Sequence, residues 1–304
     1  MTGEQQKNVA ASVRQRLLNI SREQREDFQL ILIRFALERL ISRISQSEYR
    51  DQFVLKGAML FQIWSRESHR PTRDVDFLGQ GVHSESCYRE IFETLCSIDG
   101  EDGLVFDATS IQVATMKEDE KYQGIRIKLN AFLASARIPI QVDIGFGDAI
   151  TPGPIEIDYP TILDFSAPRI KSYPRETVVA EKFQAMVMLD IANSRMKDFF
   201  DIWILSRQFD FDGTSLCQAI NATFNRRETV LPSATPLALS KEFSEDSQKR
   251  TQWNAFIKKG ALQVDGRSFN MILNELETFL MPPTLAFRSG SEFKLSWPPA
   301  GPWR

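Results

Sequence analysis

The chain has 304 residues, 42% hydrophobic and 25% charged, with a formal net charge of −3. That length and composition supply a core for a globular protein of two lobes, and the balance lacks the bulk basic signature of a nucleic-acid binder, so only local patches bear on that class. Two histidines, His69 and His83, exclude a histidine-rich metal centre, and Cys87, Cys96 and Cys217 show no metal or redox spacing, as expected of reduced thiols.

The first residues, MTGEQQKNVAASVRQRLLN, lack the apolar stretch of a signal peptide, and no run of about 18 apolar residues predicts a membrane span. A cytoplasmic location is expected. Residues 24–46 carry Phe28, Ile31, Phe35, Leu37, Ile41 and Ile44 near helical spacing and predict an amphipathic helix. FVLKG (53–57) reads as a short strand ending in glycine, with a helix over 58–65 directly behind it. TRDVDFLG (72–79) is a second strand and 88–98 a helix. Residues 106–117, 122–134 and 137–147 are strands, the last two forming a hairpin.

Proline and glycine over 151–174 predict extended, crossing chain. Helices follow at 175–191 and 196–209, with further helical stretches at WNAFIKKGAL and SFNMILNELETFLM, then an irregular tail. The expected class is α+β: a mixed sheet in the first half and a helical second half. Three segments are expected, an N-terminal helical segment (1–50), a sheet core (51–165) and a helical lobe (166–304).

In a strand, residues two apart project to the same side, so Asp74 and Asp76 share one face while Val75 and Phe77 face the core. Two carboxylates so placed resist joint ionisation unless a cation neutralises them, and oxygen-only ligands favour Mg²⁺ or Mn²⁺. Asp143, in IPIQVDIGF, has the same placement opposite an apolar face and would be a third metal ligand if the strands are neighbours. Arg126 and Lys128 face the same way on the preceding strand, where cations suit a triphosphate. A DxD pair alone is more often a turn device than a metal site. Its pairing with LKGAML upstream changes the balance. There a strand ends at Lys56, Gly57 allows a tight turn, and backbone amides from Ala58 onward are placed to bind phosphate.

Strand, KG, helix and then R-x-T-x-D-x-D together resemble the nucleotidyltransferase AbiEii/AbiGii toxin family. These toxins of type IV toxin–antitoxin and phage-defence pairs have a DNA polymerase β-like nucleotidyltransferase fold. The resemblance continues through ETVVAEKFQAMV and RMKDFFDIWIL and spans about residues 50–207. It implies an enzyme that transfers NMP from an NTP to an acceptor, with the 3′ end of tRNA as the acceptor and a winged-helix antitoxin as partner. It further implies that Asp74 and Asp76 hold metal and that Lys56, Gly57 and Ala58 cradle the triphosphate. Arg70 and Thr72 complete the motif at the nucleotide, Lys182 neutralises phosphate, and Asp198 completes the site from the helical half. One departure stands out: many polymerase β-like transferases carry Gly-Ser after the first strand and many members of this family Gly-Gly, whereas this chain has Gly57-Ala58. Alanine keeps the backbone amide and loses a side-chain contact.

Read without the resemblance, Lys182 is an edge lysine of an apolar helix face. Asp198 and Asp201 share a face of a nearly apolar helix and need partners, for which Arg195 and Lys197 are at hand. A site role is expected for Asp198 and a structural or bridging role for Asp201. Arg169, Lys171, Arg175, Arg195 and Lys197, with Arg66, Arg70 and Arg73, read equally as an RNA-contacting rim or as scattered solvated charge. Two other activities stay open, nucleotide binding without transfer and γ-phosphate transfer to a protein or small-molecule acceptor.

Overall fold

The structure, a computed structural model, describes residues 3–64, 72–81, 84–117 and 123–304. Arg66, Arg70 and both histidines lie outside the described residues. The chain divides into two units, one of residues 1–147 with 155–172 and the other of 148–154 with 173–304. Residues 1–50 therefore belong to the same unit as the sheet.

The first unit begins with helix α1 (Gly3–Gln24), to which the expected N-terminal helical segment assigned no bounds, and α2 (Phe28–Gln46). The expected helix over 24–46 thus starts later, because Asp27 caps α2 by accepting from the Leu30 N–H at 3.0 Å and Arg25 takes a positive φ. α2 is also less amphipathic in place than its pattern suggests. Arg39 and Arg43 are buried on it, held by Asp102 at 3.3 Å and 2.7 Å. Arg43 lies over the Phe106 ring and Arg39 over the Phe165 ring, so the charges on the helix's second face are paired rather than solvated.

Strand β1 (Phe53–Lys56) leads through a 3₁₀ turn, Gly57–Leu60, into the short helix α3 (Phe61–Trp64). The helix expected from 58 is therefore tightly wound at its start. β2 (Asp74–Gly79), α4 (Glu85–Ser97), β3 (Leu104–Lys117), β4 (Gln123–Leu133) and β5 (Ala136–Phe146) follow. The short strands β6 (Ile155–Asp158) and β7 (Arg169–Ser172) come from the proline-punctuated stretch. Together they make one sheet in the order β3-β4-β5-β2-β1-β7-β6. It is mixed, as expected: β2 runs parallel to β5 and antiparallel to β1, and β4–β5 is the expected hairpin. α2 packs on β5 and β7, and α4 on β3. Phe53, Phe77, Tyr88 and Phe92 form the aromatic centre of this layer, with Phe53 and Phe77 edge-to-face at 5.3 Å.

The second unit is helical, as expected. It contains α5 (Arg175–Leu189), α6 (Met196–Gln208), β8 (Phe211–Asp212), α7 (Gly213–Arg226), α8 (Lys241–Glu245), α9 (Ser247–Gly260), α10 (Phe269–Arg288) and β9 (Ser296–Trp297). α10 runs seven residues past the expected end at Met281, through Pro282 and Pro283. Pro283 cannot donate to the carbonyl of Phe279. The Trp303 indole does so instead, at 3.0 Å. The tail is therefore ordered rather than irregular: β9 pairs with β8, and the Trp297 indole donates to the Ser206 carbonyl at 2.7 Å. Phe279, Trp297 and Trp303 form a ring cluster around these bonds.

Candidate active site

The alternation of β2 does what its sequence requires. Val75 and Phe77 are fully buried, while Asp74 and Asp76 are half-buried on the other face. Register brings more carboxylate and cation to that face. Asp76 is opposite Lys56 on β1 and opposite Asp143 on β5, and Asp143 is in turn opposite Arg126 on β4. Three carboxylates from two neighbouring strands therefore share one sheet face.

They are not equivalent. Thr72, buried at the entry to β2, donates its hydroxyl to Asp74 Oδ1 and fixes that carboxylate. Asp143 is held in a two-pronged pair by Arg126, Nε to Oδ1 and Nη2 to Oδ2, both 2.7 Å, and the Gln141 amide donates to it at 3.2 Å. The hydrogen bond to Asp143, with the nearby charges of Asp74 and Asp76, raises the Arg126 pKa above its ordinary value. No group of three or more acidic, histidine or cysteine side chains placed to hold a metal ion occurs among the described residues. Asp74 and Asp76 carry the hard oxygen donors that suit Mg²⁺ or Mn²⁺. Asp143 orients Arg126 across the same face.

Gly57 lies against this pair. Its φ is +73°, and a Cβ there would fall on Asp76 Oδ2, with Asp76 Cγ 2.8 Å and Cβ 2.9 Å away. The KG turn thus serves two purposes: it turns the chain and leaves room for a carboxylate. Ala58, the next residue, is buried.

In the helical unit, Lys182 on α5 meets Asp198 and Asp201 on α6. Its Nζ is 2.6 Å from Asp198 Oδ1 and 2.9 Å from Asp201 Oδ2, and Arg195 Nε is 2.6 Å from Asp198 Oδ2. Both carboxylates are wholly buried. Burial pushes the Asp198 carboxyl up, but Lys182 and Arg195 outweigh it and hold the group below the usual carboxylate range. Lys182 is thus a bridge between two buried acids, Arg195 is the partner anticipated from sequence, and Lys197 is exposed.

The expected basic rim separates into different roles. Arg169 pairs with Glu156 and Lys171 with Asp51, each at 2.8 Å, while Arg175 lies over the Phe209 ring. The sequence reading missed a second, half-buried network in the helical unit. Arg227 pairs with Asp148 at 3.0 Å and with Glu181 at 3.6 Å. Glu181 beside Lys182 was its only local signal, because Asp148 and Arg227 are 79 residues apart.

A family described as the nucleotidyl transferase AbiEii toxin of a type IV toxin–antitoxin system matches residues 39–275. The chain belongs to that family. It is an AbiEii nucleotidyltransferase, and a toxin of this kind acts on a nucleotide and has an antitoxin counterpart. Among solved structures, it is similar to a protein from H. pylori described provisionally as a nucleotidyltransferase. The TM-score is 0.51 at 15% identity, over 86% of this chain and 98% of that one. JHP933 from Helicobacter pylori gives a TM-score of 0.49 at 16% identity, over 84% and 93%. The first of these supports the fold of the AbiEii chain. No curated protein sequence matches it, and no helix among its described residues is long and apolar enough to cross a membrane.

Proposed function

We propose that this AbiEii toxin is a divalent-metal-dependent enzyme of the cytoplasm that transfers NMP from an NTP to RNA, with the 3′ end of tRNA as the acceptor. The observation that carries the reading is the Asp74–Asp76 pair on one face of β2, set against the Gly57 turn.

Asp74 and Asp76 would hold Mg²⁺ or Mn²⁺, which when bound neutralises triphosphate oxygens and stabilises charge on the entering and leaving oxygens. Thr72 keeps Asp74 oriented for that role. Gly57 and the Ala58 amide bring backbone against the phosphates, with Lys56 and, by the family motif, Arg70 as cations at the nucleotide. Arg126, positioned by Asp143, adds a fixed positive charge on the same face. Lys182 is the phosphate-neutralising lysine of the helical unit, and Asp198 and Asp201 position its ammonium. The acceptor hydroxyl attacks the α-phosphorus in line, forming a P–O bond as the bond to the β-phosphate oxygen breaks. Pyrophosphate leaves. A winged-helix protein is the proposed antitoxin.

The test is incubation of the full chain with Mg²⁺, total tRNA and each α-³²P NTP separately, resolved on a denaturing gel. A labelled RNA band with one nucleotide is expected. Label on protein or on a small molecule would overturn the acceptor while keeping the chemistry. Label nowhere, with γ-phosphate moved instead, would overturn nucleotidyl transfer itself.

A further inference from the structure

The helical unit contains a groove of about 490 Å³ between α9 and the start of α10 that none of the residues above uses. One wall is a stripe of α9. Arg250, Asn254 and Lys258 recur every four residues and are all exposed along the groove. The other wall carries Val264, Ser268 and Asn270, where α10 begins. Ile257 and Val264 give it apolar sides. The floor is rigid: Trp253 and Phe269 stack at 4.5 Å with ring planes 13° apart. The Lys249 ammonium, buried beneath α9, donates to the Asn193 carbonyl at 3.0 Å.

The charges in the groove are not all available. Arg267 is bound by Glu275 at 2.6 Å, and Glu245 lies 3.5 Å from Lys241. Arg250 and Lys258 have no ion-pair partner among the described residues. The N–H groups of Phe269 and Asn270 have no acceptor within α10, while Ser268 caps Met271 at 3.3 Å. Two unpaired cations on a helix are ordinary by themselves. Here they border a cavity that also has the head of a 20-residue helix, the Asn254 side-chain amide for a base edge, and an apolar wall, while the Asn270 amide oxygen is taken by the Ser244 hydroxyl at 3.0 Å. Phosphate suits the cations and the helix head, and a base suits the apolar and amide side.

We infer that this groove binds a nucleoside-phosphate unit and is a subsite for the single-stranded RNA acceptor, distinct from the NTP site of the sheet unit. The RNA part of this inference rests on the acceptor proposed above. It is tested by fluorescence anisotropy of a short labelled single-stranded oligoribonucleotide with the full chain, without NTP, over a salt series. Arg250→Gln/Lys258→Gln should weaken binding about tenfold and lower the slope of log K against log salt by about 1.4, the value for two lost phosphate contacts on a single strand. Lys294→Gln, which removes a surface cation paired with Glu292, should change affinity far less. Wild-type affinity and slope in the double variant would overturn the groove, as would an equal loss in Lys294→Gln. Competition with AMP separates the sources. Weak competition by AMP, with competition by unlabelled oligoribonucleotides that strengthens with their length, supports the RNA subsite. AMP competing as well as the oligomer overturns it in favour of a free nucleotide.

The two readings fail separately. If the enzyme labels RNA and the double variant keeps the wild-type KM for RNA, the groove is wrong and the acceptor right. If the enzyme labels only protein or a small molecule while the groove still binds the oligomer, the acceptor role is overturned and only the nucleoside-phosphate-binding groove stands.

Discussion

Gly57→Ala is expected to damage stability and activity together, for a reason specific to this site. A residue with a Cβ at φ +73° costs about 1–2 kcal/mol. The new Cβ would land on the Asp76 carboxylate, with Cγ and Cβ 2.8 and 2.9 Å away. Asp76 must then leave its rotamer, at about 1 kcal/mol more. The total of about 2–3 kcal/mol should appear as a lower urea midpoint with an unchanged slope. Gly266→Ala is the control, since Gly266 has φ +71° with nothing within 4 Å of an added Cβ; only the first cost applies. Displacing a metal-binding carboxylate by about an ångström should lower NMP transfer about a hundredfold. In an Asp76→Ala background the stability loss from Gly57→Ala should shrink, because the colliding carboxylate is gone and only its Cβ remains. A Gly57→Ala enzyme with wild-type midpoint and wild-type transfer would refute the proposed contact between this turn and Asp76.

Two further substitutions probe the buried charges. Lys182→Met strands Asp201 without its lysine and leaves Asp198 only Arg195, so a loss of about 3 kcal/mol in urea unfolding is expected; a neutral result would show that the acids are protonated or hydrated. Glu38 is pushed up from 4.5 to about 7 by burial, only partly offset by the Ile162 amide and Arg39. A carboxyl raised in this way favours the folded state while protonated. Its contribution is complete below pH 4.5 and is lost as pH rises through about 7, on the order of 3 kcal/mol at about 1.4 kcal/mol per pH unit. Glu38→Gln should remove that decline from a series of urea midpoints between pH 4.5 and 7, and a persistent decline would assign it elsewhere.

Strand alternation and hairpin spacing made the sheet legible in the sequence. Val75 and Phe77 against Asp74 and Asp76 needed only a period of two, and IPIQVDIGF repeated the pattern on β5. That the two strands are neighbours could not be read, since a parallel pairing between residues 74–79 and 141–146 depends on the whole sheet order. Likewise, Arg126 and Lys128 were placed on the correct face, but the two-pronged bond of Arg126 to Asp143 is a product of register. α10 was truncated because two prolines ordinarily stop a helix, and the compensating donor, Trp303, lies 24 residues away. α2 reads as amphipathic because its arginines look like solvent-facing charges. Only the fold supplies Asp102 and the aromatic faces that bury them.

The most direct test of the central claim is the fate of the two ends of the triphosphate in one reaction. Parallel incubations with α- and γ-labelled NTP, Mg²⁺ and total RNA, for the wild type and Asp76→Ala, give it. The account predicts α-label on RNA, γ-label released as pyrophosphate, and neither in Asp76→Ala, whose circular dichroism and urea midpoint stay those of a folded chain. Transfer of the γ-label, or α-transfer that survives in a folded Asp76→Ala enzyme, would contradict it.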